Sequence, residues 1–139
     1  MAAPASISLT GTLSSVVVLP NEDDQITPYG WPGTGAAPQI TNIEHDDSYW
    51  NEEGNWEVRL KVTGYGSDRN KAFFNGEPIS SEVGRYFINY GTTADGWYYT
   101  YDCGPITEPG DYLFETTFRS TNYPYSELTF QAVFTFKYQ

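Results

Sequence analysis

The chain has 139 residues and a formal net charge of −11, because 18 acidic side chains outnumber 7 basic ones. Phosphate binding needs concentrated Lys and Arg, so this balance argues against nucleic acid or an anionic membrane as a partner. The 24 aromatic residues (12 Tyr, 8 Phe and 4 Trp) and the lack of any helical apolar stripe predict a single all-β domain.

The single cysteine and the N-terminal residues bear on where the protein is made. Cys103 stands alone, so no intrachain disulfide can form, and we expect a small buried hydrophobe there. The apolar run 16–19 stops at Pro20, which makes it too short for a signal-peptide core or a membrane span. We therefore expect synthesis in the cytosol, with any external location reached without classical secretion.

Residues 1–38 are rich in Pro, Gly, Ala and Ser and predict an extended N-terminal arm with one strand-like segment, 7–19. Such an arm buries too little surface alone, so we expect it to pack on its own domain or on a neighbouring subunit. The sequence leaves both arrangements open. The predicted partner-binding residues of the arm are Val16, Val17, Val18, Leu19, Tyr29 and Trp31.

Residues 39–139 carry seven strand signals separated by glycine and proline turns, the spacing expected of an antiparallel β-sandwich. The predicted strands are 39–44, 56–63, 71–75, 85–90, 97–103, 111–120 and 128–138. Apolar residues alternate most clearly in three of them. The faces predicted to be buried are Trp56, Val58, Leu60 and Val62; Tyr112, Phe114, Thr116 and Phe118; and Phe130, Ala132, Phe134, Phe136 and Tyr138.

The dipeptide Pro109-Gly110 predicts a tight turn that places Tyr112 at the start of a strand. Immunoglobulin-like sandwiches have such a corner tyrosine, whose hydroxyl bonds to backbone a few residues upstream. Together with the Trp97 strand and the strand-turn at 72–76, this corner makes residues 39–139 resemble an immunoglobulin-like or fibronectin-type sandwich of the bacterial and phage kind. The resemblance implies the fold, and phage virions commonly use such sandwiches as decoration proteins.

The segment 44–55 is predicted to be an acidic loop around His45, the only histidine. Asp46, Asp47 and Glu52 are its candidate calcium ligands, because calcium prefers hard oxygen ligands from a loop that folds around it. The EF-hand spacing is missing, and a solvated acidic turn is the competing interpretation. No nucleophile has a recognisable partner in the sequence, so an enzyme is not expected.

Two aromatic clusters predict recognition surfaces at opposite ends of the sandwich. The first comprises Tyr65, Arg69, Tyr123 and Tyr125. Tyrosines in a rigid loop that contains proline offer contact area with few rotamers to freeze. At the other end lies Trp50, beside Trp56, which we expect in the core. The alternative, that the tyrosines only close the end of the sandwich, stays open.

These features predict a non-catalytic accessory protein of a larger assembly, with bacteriophage capsid decoration as the leading hypothesis. Its partners would be other protein subunits, such as a major capsid protein, and its location would be the virion after synthesis in the host cytoplasm. The alternative is a carbohydrate-binding or adhesin module, in the cytoplasm or at an extracellular surface, that binds a cell-surface glycan through the aromatic loops.

Overall fold

Two antiparallel β-sheets pack together in a computed structural model, which describes residues 8–20, 39–68, 72–79, 87–93 and 96–139. The strands are β1 Leu9–Pro20, β2 Asn42–Trp50, β3 Trp56–Thr63, β4 Gly66–Asp68, β5 Phe73–Phe74, β6 Glu77–Pro78, β7 Phe87–Thr93, β8 Gly96–Asp102, β9 Gly110–Ser120 and β10 Glu127–Tyr138. The predicted all-β sandwich is confirmed.

The strand order of both sheets follows a known sandwich arrangement. Sheet A has the order β1-β10-β9-β5-β6, with β4 also paired to β9, and sheet B has the order β2-β3-β8-β7. With β2 counted as the first strand, these are the A-B-E-D and G-F-C orders of a constant-type immunoglobulin sandwich. β1 precedes that set and pairs with β10 from Leu9↔Tyr138 to Pro20↔Leu128. The strand-like part of the N-terminal arm therefore joins its own sheet.

Most strand predictions agree with the structure to within a residue or two. The prediction for 56–63 coincides with β3, and those for β9 and β10 each start one residue late. The prediction for 39–44 is wrong at both ends, because β2 begins at Asn42 and continues to Trp50. A bulge between His45 and Asp47 keeps this acidic segment paired with β3. Positions 71, 85 and 86 of two other predicted strands lie outside the described residues.

The core lies between the sheets and consists mainly of aromatic rings at alternating strand positions. The predicted inward faces of β3, β9 and β10 are buried, apart from a half-buried Tyr112 and from Tyr138, which is 61% exposed at the end of β10. Rings from opposite sheets meet edge to face, as in Tyr101–Phe114 at 5.2 Å and Tyr99–Phe118 at 4.7 Å between centroids. Each such pair stabilises the fold by about 1 kcal/mol in addition to the contribution of its buried apolar area. Cys103 is buried, as expected.

The corner tyrosine is confirmed. The Tyr112 hydroxyl donates to the Glu108 carbonyl oxygen at 2.9 Å, and its ring stacks on Phe74 with centroids 5.5 Å apart. Gly110, whose φ is 140°, makes the turn before it. This hydrogen bond and ring contact fix the register of β9, and hence which of its side chains face the core.

Candidate functional site

β1 is an edge strand of sheet A, and within the described part of the chain no strand pairs with its outer side. None of its 12 residues is charged. Four of its apolar side chains are exposed, namely Leu13 (38%), Val16 (39%), Val17 (44%) and Leu19 (44%). Val18 is partly buried against the core. We call Leu13 and residues 15–19 the apolar edge.

The apolar edge presents apolar side chains on both of its faces. Val17 pairs with Gln131 and Val16 pairs with Ala132. Paired residues on antiparallel strands share a face, so Val16 lies on the side of the buried Ala132 and Val17 on the outer side. Of the other predicted partner-binding residues, Tyr29 and Trp31 lie outside the described residues.

The start of β1 is held to the core by close ring contacts. Leu9 is buried. A Cβ built on Gly11 would lie 2.6 Å from the Phe136 ring and 2.8 Å from the Trp56 ring, so only glycine leaves room for both. A glycine inside a strand often marks such a close approach, but sequence reasoning did not use this signal.

β2 is an edge strand of sheet B, and it carries the acidic residues that were predicted to lie on a loop. Asp46 accepts a hydrogen bond from Arg59 Nε at 2.7 Å, and Asp47 Oδ1 accepts one from the Ser48 N–H at 2.8 Å. Glu52 lies in the turn after β2. The prediction that 44–50 forms a loop is therefore wrong, whereas calcium binding by Asp46, Asp47 and Glu52 stays a prediction. Within the described ranges, no group of three or more His, Cys, Asp or Glu side chains is placed to hold a metal ion.

His45 lies half-buried on β2 and not on an exposed loop. Its ring centroid is 6.0 Å from that of Phe134, and its Nε2 is 3.1 Å from Ser48 Oγ. Burial lowers the pKa of His45 below 6.5, while the nearby carboxylates of Asp47 and Asp46 act in the opposite direction. The neutral ring is therefore favoured more than in a solvated histidine.

A network of amide and carboxylate groups fixes the turn between β2 and β3. Asn51 Nδ2 donates to Glu57 Oε1 at 2.9 Å and to Asp102 Oδ2 at 3.1 Å. Its Oδ1 accepts the backbone N–H groups of Glu53 at 2.9 Å and of Asn55 at 3.0 Å. Asp102 is buried and belongs to β8, so nothing near Asn51 in the sequence pointed to this pairing.

At one end of the sandwich, the structure brings the predicted tyrosines together. The rings of Tyr123 and Tyr125 meet at 5.7 Å, and the Arg119 guanidinium lies 5.1 Å from the centroid of the Tyr125 ring. Tyr65 is adjacent, since its carbonyl oxygen accepts the Thr121 N–H at 3.1 Å. Arg119 was missed by sequence reasoning, and the predicted Arg69 lies outside the described residues. We call residues 121–126 the tyrosine loop.

Side-chain hydrogen bonds fix the tyrosine loop to the start of the sandwich. Gln39 Nε2 donates to the carbonyl oxygens of Asn122 at 2.8 Å and Tyr123 at 3.2 Å. Gln39 Oε1 accepts the Ser126 N–H at 3.0 Å, and the hydroxyls of Ser126 and Ser120 are 2.6 Å apart. The loop is therefore held in one shape without any ligand.

Trp50 lies at the opposite end of the sandwich. Its Nε1 donates to the Leu9 carbonyl oxygen at 3.2 Å, and its ring is 4.9 Å from that of Trp56, edge to face. Trp56 is buried, as predicted. A cleft of about 570 Å³ opens here, lined by the start of β1, the end of β2 and the C-terminal Gln139.

The fold is that of an all-β protein with two packed antiparallel sheets. The chain belongs to the family described as Domain of unknown function (DUF4879), whose profile matches residues 21–134. β1 precedes the matched residues. No curated protein and no solved structure matches the chain. Among the described residues, no helix is long and apolar enough to cross a membrane.

Proposed function

We propose that this chain is a non-catalytic structural protein of a larger assembly, and that it binds a neighbouring protein subunit through the apolar edge of β1. One observation carries the proposal: an edge strand of 12 residues has no charged side chain and exposes four large apolar ones. An open strand edge presents a row of unpaired N–H and C=O groups, which another chain can pair with.

The other edges of the two sheets are better protected. β2 carries Glu44, Asp46 and Asp47 and a bulge in its pairing with β3. β6 has only two residues, and one of them is Pro78. β7 has a bulge in its pairing with β8. Charged side chains, proline, bulges and short length are the features that usually prevent an edge strand from pairing with another chain. In β1, the bulge near Leu13 leaves the run 15–19 regular.

The occupant that fits the apolar edge is an extended, apolar strand of another subunit. Its backbone hydrogen bonds supply affinity, and side-chain contacts with Val16, Val17 and Leu19 supply specificity. The acidic β2 edge lies beside β1, as the Trp50–Leu9 hydrogen bond shows. A partner strand that also carries Lys or Arg would therefore be favoured over an acidic one.

The resemblance of residues 39–139 to sandwiches of the phage kind supports a virion as the assembly. In that setting, the neighbouring subunit is a major capsid protein or another virion-surface protein. The chain would then be made in the host cytoplasm and act on the particle. Its negative charge, −11 in total, suits a solvated outer surface.

Site-specific photo-cross-linking tests this proposal. Val17 is replaced by a photoreactive amino acid in the protein as it is produced in its native source, and the products are mapped by mass spectrometry. The matched control is Leu113 on β9, an apolar residue of nearly equal exposure (37% against 44%) on an inner strand of the same sheet. We expect Val17 to cross-link to one subunit of a particle and Leu113 to give no such product.

Lysine substitutions at the same two positions complete the test. Val17→Lys places a charge in the new strand pair and should abolish copurification with the particle, whereas Leu113→Lys should leave it unchanged. Equal behaviour of the two variants, or a protein that never copurifies with an assembly, would refute binding through β1.

A second candidate function is glycan binding through the tyrosine loop. The specific observation is that Tyr125 is exposed, perpendicular to Tyr123, and backed by Arg119 in a loop already fixed by Gln39. A preorganised aromatic surface loses little entropy when it binds. A glycan-array signal that disappears in both Tyr123→Ala and Tyr125→Ala would favour this function, and signals that survive both substitutions would exclude it.

A further inference from the structure

The cleft beside Trp50 is independent of both the apolar edge and the tyrosine loop. It has a volume of about 570 Å³ and lies where β1 starts, β2 ends and the C-terminal Gln139 follows β10. That volume falls in the range that small organic ligands fill in proteins. Its walls come from parts of the chain that the sandwich already holds together.

Among the described residues, no side chain that lines the cleft is acidic or basic, although the chain as a whole has a net charge of −11. An anionic ligand would lose hydration there and find no cationic side chain among these residues to compensate. The cleft therefore selects against anions. An uncharged ligand enters without that penalty.

The lining supplies hydroxyl and amide groups beside aromatic surface. Ser8 donates its hydroxyl to Gln139 Oε1 at 3.1 Å, and this leaves the Gln139 amide nitrogen available as a donor. Thr10 holds only a long hydrogen bond of 3.4 Å to the Lys137 carbonyl oxygen. Trp50 contributes a half-buried indole ring to the same cleft. Such a surface matches a molecule with an apolar face and several hydroxyl groups.

The aromatic wall is fixed before any ligand arrives. The Trp50 indole N–H is bound to the Leu9 carbonyl oxygen, and Trp50 and Trp56 meet edge to face at 4.9 Å. Gly11 lies directly against Trp56, so the start of β1 cannot move closer. A preformed wall lowers the entropic cost of binding.

From the uncharged side chains of the lining, its serine, threonine and amide groups and the fixed indole, we propose that this cleft binds a neutral saccharide. Sugar hydroxyls both donate and accept hydrogen bonds, as the serine, threonine and amide groups of the cleft require. The C–H face of a pyranose ring is the apolar surface that packs on an indole. A short neutral oligosaccharide is therefore the ligand class, at a site separate from the tyrosine loop.

The test uses an array of neutral and anionic oligosaccharides, followed by calorimetric titration with the strongest neutral ligand. Thr10→Arg adds bulk and charge at the mouth of the cleft from an exposed position. Thr12→Arg is the matched control, since it lies two residues along the same strand and does not line the cleft. We expect Thr10→Arg to weaken binding at least tenfold, or about 1.4 kcal/mol, and Thr12→Arg to bind like the wild type.

Tyr125→Ala separates this site from the tyrosine loop, and it should leave binding unchanged. The inference is overturned if the array shows no neutral ligand or only anionic ones. It is also overturned if both arginine variants bind alike, or if Tyr125→Ala abolishes binding while Thr10→Arg does not. None of these results tests strand pairing at Val17, so saccharide binding in the cleft and protein binding at the apolar edge are tested independently.

Discussion

The edge strands β1 and β2 lie side by side on the same flank of the sandwich, yet they differ in chemistry. β1 has no charged side chain and exposes Val17 and Leu19, whereas β2 carries Glu44, Asp46 and Asp47. Both edges face the same solvent, so the fold alone does not account for the contrast. It shows that protection of an edge is a property of its side chains, and that one long edge stays unpaired among the residues that the structure describes.

The two edges are also held in place by different interactions. β1 depends on ring-to-backbone packing of Trp56 and Phe136 against Gly11. The end of β2 depends on the hydrogen-bond network of Asn51 with Glu57 and Asp102. The packing at Gly11 is destabilised when atoms are added, whereas the hydrogen-bond network at Asn51 is destabilised when a donor or acceptor is removed. A larger residue at Gly11 therefore tests how β1 is held, and a smaller residue at Asn51 tests how the end of β2 is held.

The largest expected effect comes from Asn51→Ala, which removes four hydrogen bonds and leaves the buried Asp102 carboxylate short of a donor. We expect the free energy of unfolding to fall by about 3 kcal/mol, because hydrogen bonds to buried charges are the strong ones. Urea denaturation measures it. Glu52→Ala in the same turn, where the side chain is exposed, should change stability by less than about 0.5 kcal/mol. Similar values for the two variants would mean that the network does not hold β2.

Gly11→Val should have the next largest effect. Its Cβ would press on the Phe136 and Trp56 rings, and we expect a loss of about 2 kcal/mol from overpacking. The same variant should expose the N-terminal residues to proteolysis, since β1 is pushed off the sheet. Thr12→Val, at an exposed position, is the control and should be nearly neutral. A stable, protease-resistant Gly11→Val protein would contradict the docking of β1 on its own sheet.

The parts of the fold that depend on local alternation of apolar and polar residues could be predicted from the sequence. β3, β9 and β10 bury every second residue, so their period of two is visible in the sequence. Tyr112 was also predictable, because the Pro109-Gly110 turn and the tyrosine are neighbours in the chain. These features need no knowledge of which strands pair.

Features that depend on distant partners were missed. The acidic segment 44–50 has poor strand propensity, and only its pairing with β3, helped by Arg59 opposite Asp47, makes it a strand. The Asn51–Asp102 hydrogen bond joins residues 51 positions apart. Trp50 was predicted as an aromatic residue of a recognition surface, but the cleft beside it is formed by the start of β1, the end of β2 and Gln139, which are far apart in the sequence.

Salt should reveal the open edge without changing the stability of the fold. The net charge of −11 opposes self-association, and about 0.5 M NaCl screens that repulsion to within a few ångströms. We therefore expect the isolated wild type to self-associate at high salt through paired β1 edges, as followed by sedimentation velocity. Val17→Lys should stay monomeric, with its unfolding free energy within about 0.5 kcal/mol of wild type.

The matched control for the salt experiment is again Leu113→Lys, which should associate like the wild type. If Leu113→Lys stays monomeric as well, the association runs through the outer face of sheet A and not through the β1 edge. If the wild type stays monomeric at every salt concentration, the apolar edge of β1 does not pair with the same edge of a second copy. The uncharged edge would then be explained only by a different partner protein.

The smallest expected effect concerns His45, which makes the β2 edge sensitive to pH. Burial keeps the pKa of His45 below 6.5 in the folded protein, whereas in the unfolded chain it returns to about 6.5. The unfolded state therefore binds more protons in this range. Stability should be full above pH 6.5 and fall as the pH drops toward the folded pKa.

Unfolding free energies of the wild type and His45→Gln, measured between about pH 5 and pH 8, check the sign. Glutamine can still hydrogen-bond to Ser48 but does not titrate, so its curve should be flatter. Asp47→Asn removes a carboxylate that raises the pKa of His45, and it should deepen the loss of stability at low pH. A shallower loss in Asp47→Asn would mean that the Asp47 carboxylate does not raise the pKa of His45. A wild type that gains stability on acidification would mean that the acidic side chains of β2 outweigh burial at this edge.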